Sequence, residues 1–548
     1  MAENTTNLSK IKREHLLEIC SRIKNKEEVE SFEINELEQF IRSMKYGLLF
    51  EEHEEQIDIK LKDNIPIFIE DVEKEIKTST GHYNFLLEGD NLHSLKLLEK
   101  THKNSVDVIY IDPPYNTGNE FVYNDKIIGK EDGYKHSKWL SFMQERLLIA
   151  HKLLSKQGVI FISIDDHEYA NLKLLCDDIF GEENFIDAII WQKTENIKMD
   201  SKFLSQNKDF VLVYRKTDEL NSFTKQMSDT ERFKLKDEKG IYYLRKLDSL
   251  SSSYSRGMDY IIEHDGVKYY PGGSEEKWIE RQSTSPKKKA PTWLWSKEKY
   301  EQGLINGEIV FKNGNVYNKV RYDGIAKKPY INIQKIVSQQ TAQKELNFML
   351  GERNFDHPKP PQLIKWLIAL HPNKSATILD FFAGSGTTGH AVLELNQEDE
   401  GNRKFILCTN NENNICEEVT YQRLKTVITG IRTDGTKYSD GIPANLKYFK
   451  AEFLDKDNED LDEELLDASI QLIELENFED VNSNNTTVFV AENDNDLDEF
   501  ENKFDPESNT IKKVYVAEDV CLSASQYLLF KKYQIEIKTI PTGYFKEI

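Results

Sequence analysis

Short apolar, β-branched runs that stop on Gly or Asp recur at helix-sized intervals, and this rhythm limits the possible folds more than any other feature. NFLLEGD (84–90), SVDVIYID (105–112) and GVIFISID (158–165) come first. Between the last two, Trp139, Phe142, Met143, Leu147, Ala150 and Leu154 recur at helical spacing before Gly158 stops the helix. A helical segment around 172–180 precedes IDAIIWQK (186–193) and FVLVYRK (210–216), which read as an antiparallel pair. The rhythm then lapses for about 160 residues and resumes with SATILDFFAGSG (375–386), a helix from Thr387, and KFILCTN (404–410). Seven strands alternating with helices predict a doubly wound α/β sheet.

Charge divides the chain further. The net charge is −23, yet residues 192–350 carry about +8, leaving about −31 elsewhere. Residues 451–500 hold about −17 of that. A basic, aromatic-bearing insert in an acidic chain fits local contact with an anionic partner, and equally a solvated face. The expected divisions are a helical segment (1–60), a first α/β part (61–216), the insert (217–350), a second α/β part (351–450) and an acidic region closing in a small α/β appendage (451–548). No apolar run approaches the length of a membrane span, and the first twenty residues hold no apolar signal core. Five scattered cysteines fit neither a disulfide framework nor a CxxC metal site, so a reduced cytoplasm is expected.

Two motifs carry chemistry. Asp112-Pro113-Pro114-Tyr115-Asn116 ends a strand, where Pro113 and Pro114 forbid further ladder bonding and fix the backbone. Ligands bind at that carboxyl edge in open α/β sheets. There a carboxylate and a freed Pro113 carbonyl accept from an exocyclic amine, and the Tyr115 ring offers a face for a base. The second motif is Asp380-Phe381-Phe382-Ala383-Gly384-Ser385-Gly386-Thr387-Thr388-Gly389. Its glycines permit close backbone approach, and the helix that follows favours an anionic group. Read literally it satisfies GxGxxG, weak evidence alone for a dinucleotide site. Glu412, after the next strand, suits a ribose. A nicotinamide enzyme has no use for an amine-gripping turn next door.

These motifs, with LLEGDNLHSLKLL (86–98), WLSFMQERLLIAHKLLSKQGVIFISIDDHEYANLKLLCDDIFGEENFI and FDHPKPPQLIKWLI (355–368), make the chain resemble DNA adenine amino-methyltransferases of permuted, β-class motif order. Within that group it is similar to the modification (Mod) subunits of type III restriction–modification systems. The resemblance implies a class I S-adenosylmethionine-dependent methyltransferase fold with sheet order 3-2-1-4-5-7-6. It implies that the insert is a target-recognition domain, and that the terminal extensions are helical and α+β. The activity implied is adenine-N6 methylation of double-stranded DNA with a flipped base. Asp112, Pro113, Pro114 and Tyr115 then hold the target amine. Asp380 takes the cofactor's ammonium group. Gly384, Gly386, Thr387 and Thr388 cradle its methionine end, within the Asp380–Thr388 run that includes Phe381, Ala383 and Ser385. Phe382 packs on the adenosine, Glu412 holds the ribose with Asn410 or Asn411 as substitutes, Asp90 meets the adenine edge, and Lys359 flanks the methionine moiety. A homodimer and a separate ATP-dependent restriction subunit are implied partners.

Asp165-Asp166-His167 reads as a strand-end helix cap before a metal or base site. DNDLD (494–498) lacks the Gly and distal Glu of a calcium loop. No cluster has metal-ligand spacing. Lys287-Lys288-Lys289 beside Trp293 and Trp295 is a candidate phosphate contact or a solvated loop. Rival readings are a cytosine-N4 methyltransferase, an RNA or protein methyltransferase, and a non-catalytic DNA-specificity subunit.

Overall fold

A computed structural model describes residues 19, 50–118, 122–123, 126–127, 132–194, 203–227, 233–251, 254–284, 290–322, 327–328, 332–351, 355–458, 460–482, 486–518 and 520–541. Of the N-terminal segment only Ile19, buried and helical, and residues 50–60 are described, and of the latter 50–55 are not helical while the helix Gln56–Asp63 begins at its end. The chain divides into two compact units, residues 225–330 and the remainder.

The larger unit is built on one sheet. Its strands in chain order are β1 (Asn64–Glu70), β2 (Ile76–Lys77), β3 (Tyr83–Glu88), β4 (Val106–Ile111), β5 (Leu154–Ile164), β6 (Phe185–Gln192), β7 (Lys208–Arg215), β8 (Ile333–Gln334), β9 (Thr377–Asp380), β10 (Lys404–Thr409) and β11 (Asn445–Asp455). The order across the sheet is β1-β11-β3-β10-β9-β4-β5-β7-β6-β8, with β2 also pairing β11. The seven strands from β3 to β6 take the expected order, parallel except where β7 runs against β5 and β6. Chain order and sheet order are thus permuted. β4 and β9 are neighbours, in register Val108 with Ile378 and Ile109 with Leu379.

The central strands are buried on both faces. Val108, Ile109, Ile160, Phe161, Ile378, Leu379, Phe405 and Ile406 are all fully buried. The helix Lys135–Leu153 lays Trp139, Met143, Leu147 and Ala150 into that core, as its spacing predicts. Beyond the seven strands, β11 widens the sheet and is clamped to the helix Leu461–Asn477 by Lys447, whose Nζ donates 2.7 Å bonds to both Glu474 oxygens. The acidic region ends in a parallel three-stranded sheet (Val488–Ala491, Lys513–Val516, Glu536–Thr539). DNDLD opens the helix Asp494–Lys503, with Asn493 and Asp496 forming a capping box.

The smaller unit has a four-stranded antiparallel sheet (Leu235–Asp237, Gly240–Lys246, Asn315–Arg321, Ile309–Lys312). Leu247, Ile262, Trp293, Tyr300, Ile309 and Val316 form its core. Trp293 is therefore a core residue, its indole N–H donating to the Tyr260 carbonyl at 2.7 Å. Lys287, Lys288 and Lys289 lie outside the described residues.

Candidate active site

Four parallel strands, β4, β9, β10 and β3, end side by side at one sheet edge, and each delivers a sequence-singled residue there. Asp112 follows β4, Asp380 ends β9, Glu412 follows β10 and Asp90 follows β3.

The Asp-Pro-Pro-Tyr turn is held from three sides. The Trp139 indole donates to the Pro114 carbonyl at 2.7 Å. Asn116 sits in the left-handed region at φ 57° and donates to Glu168 Oε1 at 2.5 Å. Glu168 is fully buried and also bonds His136 and Asn171. The Tyr115 hydroxyl donates to Asp112 Oδ1 at 3.0 Å. Burial, then the adjacent Asp112 carboxylate, pushes that hydroxyl well above its ordinary range, so it acts as a donor.

The strongest partner of Asp112 comes from far along the chain. Lys359 Nζ donates to Oδ1 at 2.7 Å and Oδ2 at 2.6 Å, and lies 5.0 Å from the Tyr115 ring centroid. The backbone carbonyl of Lys359 accepts from the Thr387 hydroxyl at 3.2 Å. One residue thus touches both motifs, with its side chain on the Asp-Pro-Pro-Tyr turn and its main chain on the glycine loop.

The loop after β9 is tight. Gly384 (φ 46°) and Gly386 (φ 72°) are left-handed. A Cβ on Gly384 would sit 3.1 Å from Phe355 Cζ, and one on Gly386 3.1 Å from Thr420 Cγ2. The buried Arg423 guanidinium donates to Thr387 Oγ1 at 2.7 Å and Ser385 Oγ at 3.1 Å, and the Thr420 hydroxyl donates to the Gly384 carbonyl. Asp380 accepts from the Phe382 N–H at 2.9 Å and from the Thr388 hydroxyl. Both partners are neutral, and burial, with a smaller contribution from Asp112, pushes the carboxyl up to about 7. Phe382 packs on Phe142 at 5.8 Å and Phe381 is fully buried.

Asp90 caps the helix Asn91–Thr101, accepting from the Leu92 N–H at 2.7 Å. Its neighbour Asn91 donates to the Phe381 carbonyl at 2.9 Å and accepts from Arg146 Nε at 2.6 Å. Arg146, fully buried, also pairs with Glu55. Glu412 is exposed and heads a short turn (Glu412–Asn414) in which Asn413 is left-handed at φ 52°.

Asp209 was missed by sequence reasoning. It is the second residue of β7, and because β7 is antiparallel its start lies at the same edge. Burial raises its carboxyl while Lys359 and then Lys193 lower it, and Lys193 bonds it at 2.8 Å. The antiparallel pairing was expected, but the strand was read as starting at Phe210, which left Asp209 just outside it. Arg146 and Arg423, ordinary charged residues on helices, and Glu55, just before one, were equally silent. Asp165 accepts from the His167 N–H at 2.9 Å and closes a turn, while Glu168 holds the N-cap position of the helix Tyr169–Phe180. No group of three metal-ligating residues occurs among the described residues.

The sheet order, with an Asp-Pro-Pro-Tyr turn and a glycine loop on adjacent strands, defines a class I methyltransferase. A model of the DNA methylase family matches residues 106–421, and the chain belongs to that family. It is 33% identical over 412 residues to the type III restriction-modification enzyme StyLTI Mod subunit of Salmonella typhimurium, covering 68% of this chain and 61% of that protein. It is 35% identical to the type II methyltransferase M.KpnI of Klebsiella pneumoniae over 67% of this chain and 90% of that one. The type III EcoPI Mod subunit of Escherichia phage P1 is 34% identical, covering 60% and 58%. The chain thus spans about three fifths of the length of the Mod subunits it matches.

Proposed function

We propose that this protein methylates the N6 amine of adenine in double-stranded DNA, using S-adenosylmethionine, as the modification subunit of a type III restriction–modification system. The observation that carries the reading is the Asp112–Tyr115 turn and the Asp380–Thr388 loop on adjacent strands, joined by Lys359.

The cofactor fits the loop. Two left-handed glycines leave room where side chains would intrude, and a buried carboxyl with only neutral partners calls for a cation such as the methionine ammonium. Asp380, Gly384, Gly386, Thr387 and Thr388 hold that end, with Phe381, Ala383 and Ser385 shaping the loop. Phe382 and Asp90 meet the adenosine, and Glu412 or its neighbour Asn411 the ribose. S-adenosylmethionine bound there would supply an electrophilic methyl group for transfer to the amine.

A base inside the stack cannot bring its amine to this edge, so the target is flipped out and stacked on Tyr115. Asp112 and the Pro113 carbonyl accept its two amine hydrogens and aim the nitrogen lone pair. The acceleration comes from positioning and fixed charge, without a covalent enzyme intermediate.

Sequence reading is assigned to the smaller unit, which has its own core. The similarity to proteins named as Mod subunits of restriction-modification enzymes supports a separate restriction subunit as a partner, which this reading takes to be ATP-dependent and to meet a homodimer. The similarity to M.KpnI over most of that protein's length favours a second reading, a stand-alone methyltransferase. Purifying the tagged protein from its native cells separates the two. Co-purification of an ATP-hydrolysing nuclease subunit supports the first reading, and its absence beside active methyltransferase supports the second.

A further inference from the structure

Lys359 is placed more tightly than a cofactor flank requires. Pro358 and Pro360 bracket it, and a residue before proline is confined to extended backbone, so the side chain leaves from a stiff segment. The residue is only 7% exposed. Its ammonium carries three hydrogens, and two go to Asp112. No further hydrogen-bond acceptor for Nζ occurs among the described residues, its remaining neighbours being the Tyr115 ring at 5.0 Å and the charge of Asp209. A buried donor left without an acceptor is costly, which marks it as a place for a ligand.

The carboxylate opposite is counted the same way. Asp112 has about four lone-pair sites, and Lys359 takes two and the Tyr115 hydroxyl one. One acceptor site remains, beside one free donor, next to the ring on which a base would stack.

We infer that Lys359 reads the target base directly, donating its third hydrogen to adenine N1 while Asp112 accepts from the neighbouring N6. This rests on the adenine-methylation reading and deepens it. A donor beside an acceptor complements an amine next to an unprotonated ring nitrogen. Guanine and thymine reverse both positions, with a carbonyl where the amine would be and an N–H where the acceptor would be, and are rejected twice over. Cytosine presents the same pattern as adenine, so its exclusion falls to pocket size. Because the Lys359 carbonyl also accepts from Thr387, the segment that reads the base is tied to the cofactor loop.

The test is a cycle between protein and base. Wild type and Lys359→Met are each given duplexes carrying adenine or 1-deazaadenine at the target position, once the methylated site is known, and single-turnover transfer is timed. The analogue alters the amine as well as removing N1, so the coupling between the two changes decides, not either change alone. Wild type is expected to lose roughly ten- to a hundredfold on the analogue, as for a hydrogen bond from a charged group. Lys359→Met is expected to lose a similar factor on adenine and under threefold more on the analogue. An equal analogue penalty in both proteins overturns the assignment. If Lys359→Met fails to fold, Lys359→Leu takes its place in the cycle, and a wild-type penalty under threefold overturns the assignment with either variant. Cofactor affinity of Lys359→Met, measured by calorimetry, is expected to stay within about threefold of wild type, and a loss of that affinity with normal base discrimination overturns it too. Wild type that methylates no adenine in any duplex defeats the underlying reading, and the inference falls with it.

Discussion

The buried carboxyl of Asp380 ties cofactor capture to pH. Its neutral partners leave burial largely uncompensated, and the group titrates at about 7. About half is ionised at pH 7 and roughly a tenth at pH 6, so a ligand ammonium that pairs only with the carboxylate binds about fivefold more weakly at pH 6, or ~1 kcal/mol. An α-amino group stays protonated below roughly 7.7, so this window isolates the carboxyl. Titration calorimetry of S-adenosylmethionine at pH 6.0, 6.5 and 7.0, in two buffers of different ionisation heat, reads both the affinity change and the proton released. The linkage to folding has the opposite sign. A carboxyl raised in the folded state favours that state at low pH and ceases to as pH climbs through 7. Bound cofactor should therefore raise the unfolding midpoint more at pH 7.5 than at pH 6. Asp380→Asn should bind more weakly and lose the slope. Wild-type affinity flat from pH 6 to 7, or an unchanged slope in Asp380→Asn, would refute the assignment of the ammonium to Asp380.

Asp112→Ala should abolish methylation while cofactor affinity changes well under tenfold, about 1.4 kcal/mol, because the carboxylate faces the amine. Calorimetry beside a methyl-transfer assay checks this. Gly386→Val should do the reverse, since its φ of 72° resists a side chain and the new Cβ would sit 3.1 Å from Thr420 Cγ2; retained affinity would count against the loop as the cofactor site. Arg146→Met leaves Glu55 buried without its partner, and should cost about 3–5 kcal/mol of stability, seen as a lowered melting midpoint. Exchanging residues 225–330 for the matching segment of a relative should transfer the methylated sequence and keep the methylated atom, as read by mapping modified bases.

Much of this architecture was legible because it rests on local pattern. The runs 84–90, 105–112 and 375–380 declared strands through their own residues. Asp112-Pro113-Pro114-Tyr115 and Gly384-Ser385-Gly386 declared strand ends through backbone restriction. What stayed hidden depends on pairing across the chain. NLKYFKAEFLD (445–455) mixes charge and aromatics in no clear alternation, yet as β11 it widens the sheet, because β1 covers one edge and β3 the other. The Lys359–Asp112 pair spans 247 residues and joins two segments that sequence reasoning gave separate duties. Asp209 stayed outside the strand read from Phe210 onward and became visible only when β7 was seen to begin at Lys208. Trp293, read as support for a phosphate contact, lies in the core of the smaller unit, since an aromatic near lysines looks the same in sequence whether it faces solvent or core.

The central claim is the atom methylated, and it is tested most directly by expressing the protein in cells without other DNA methyltransferases and sequencing their DNA by a method that resolves modified bases. The account expects N6-methyladenine at one short recurring sequence, lost in Asp112→Ala. N4-methylcytosine at such a sequence, or unmodified DNA from cells whose purified protein binds S-adenosylmethionine, would contradict it.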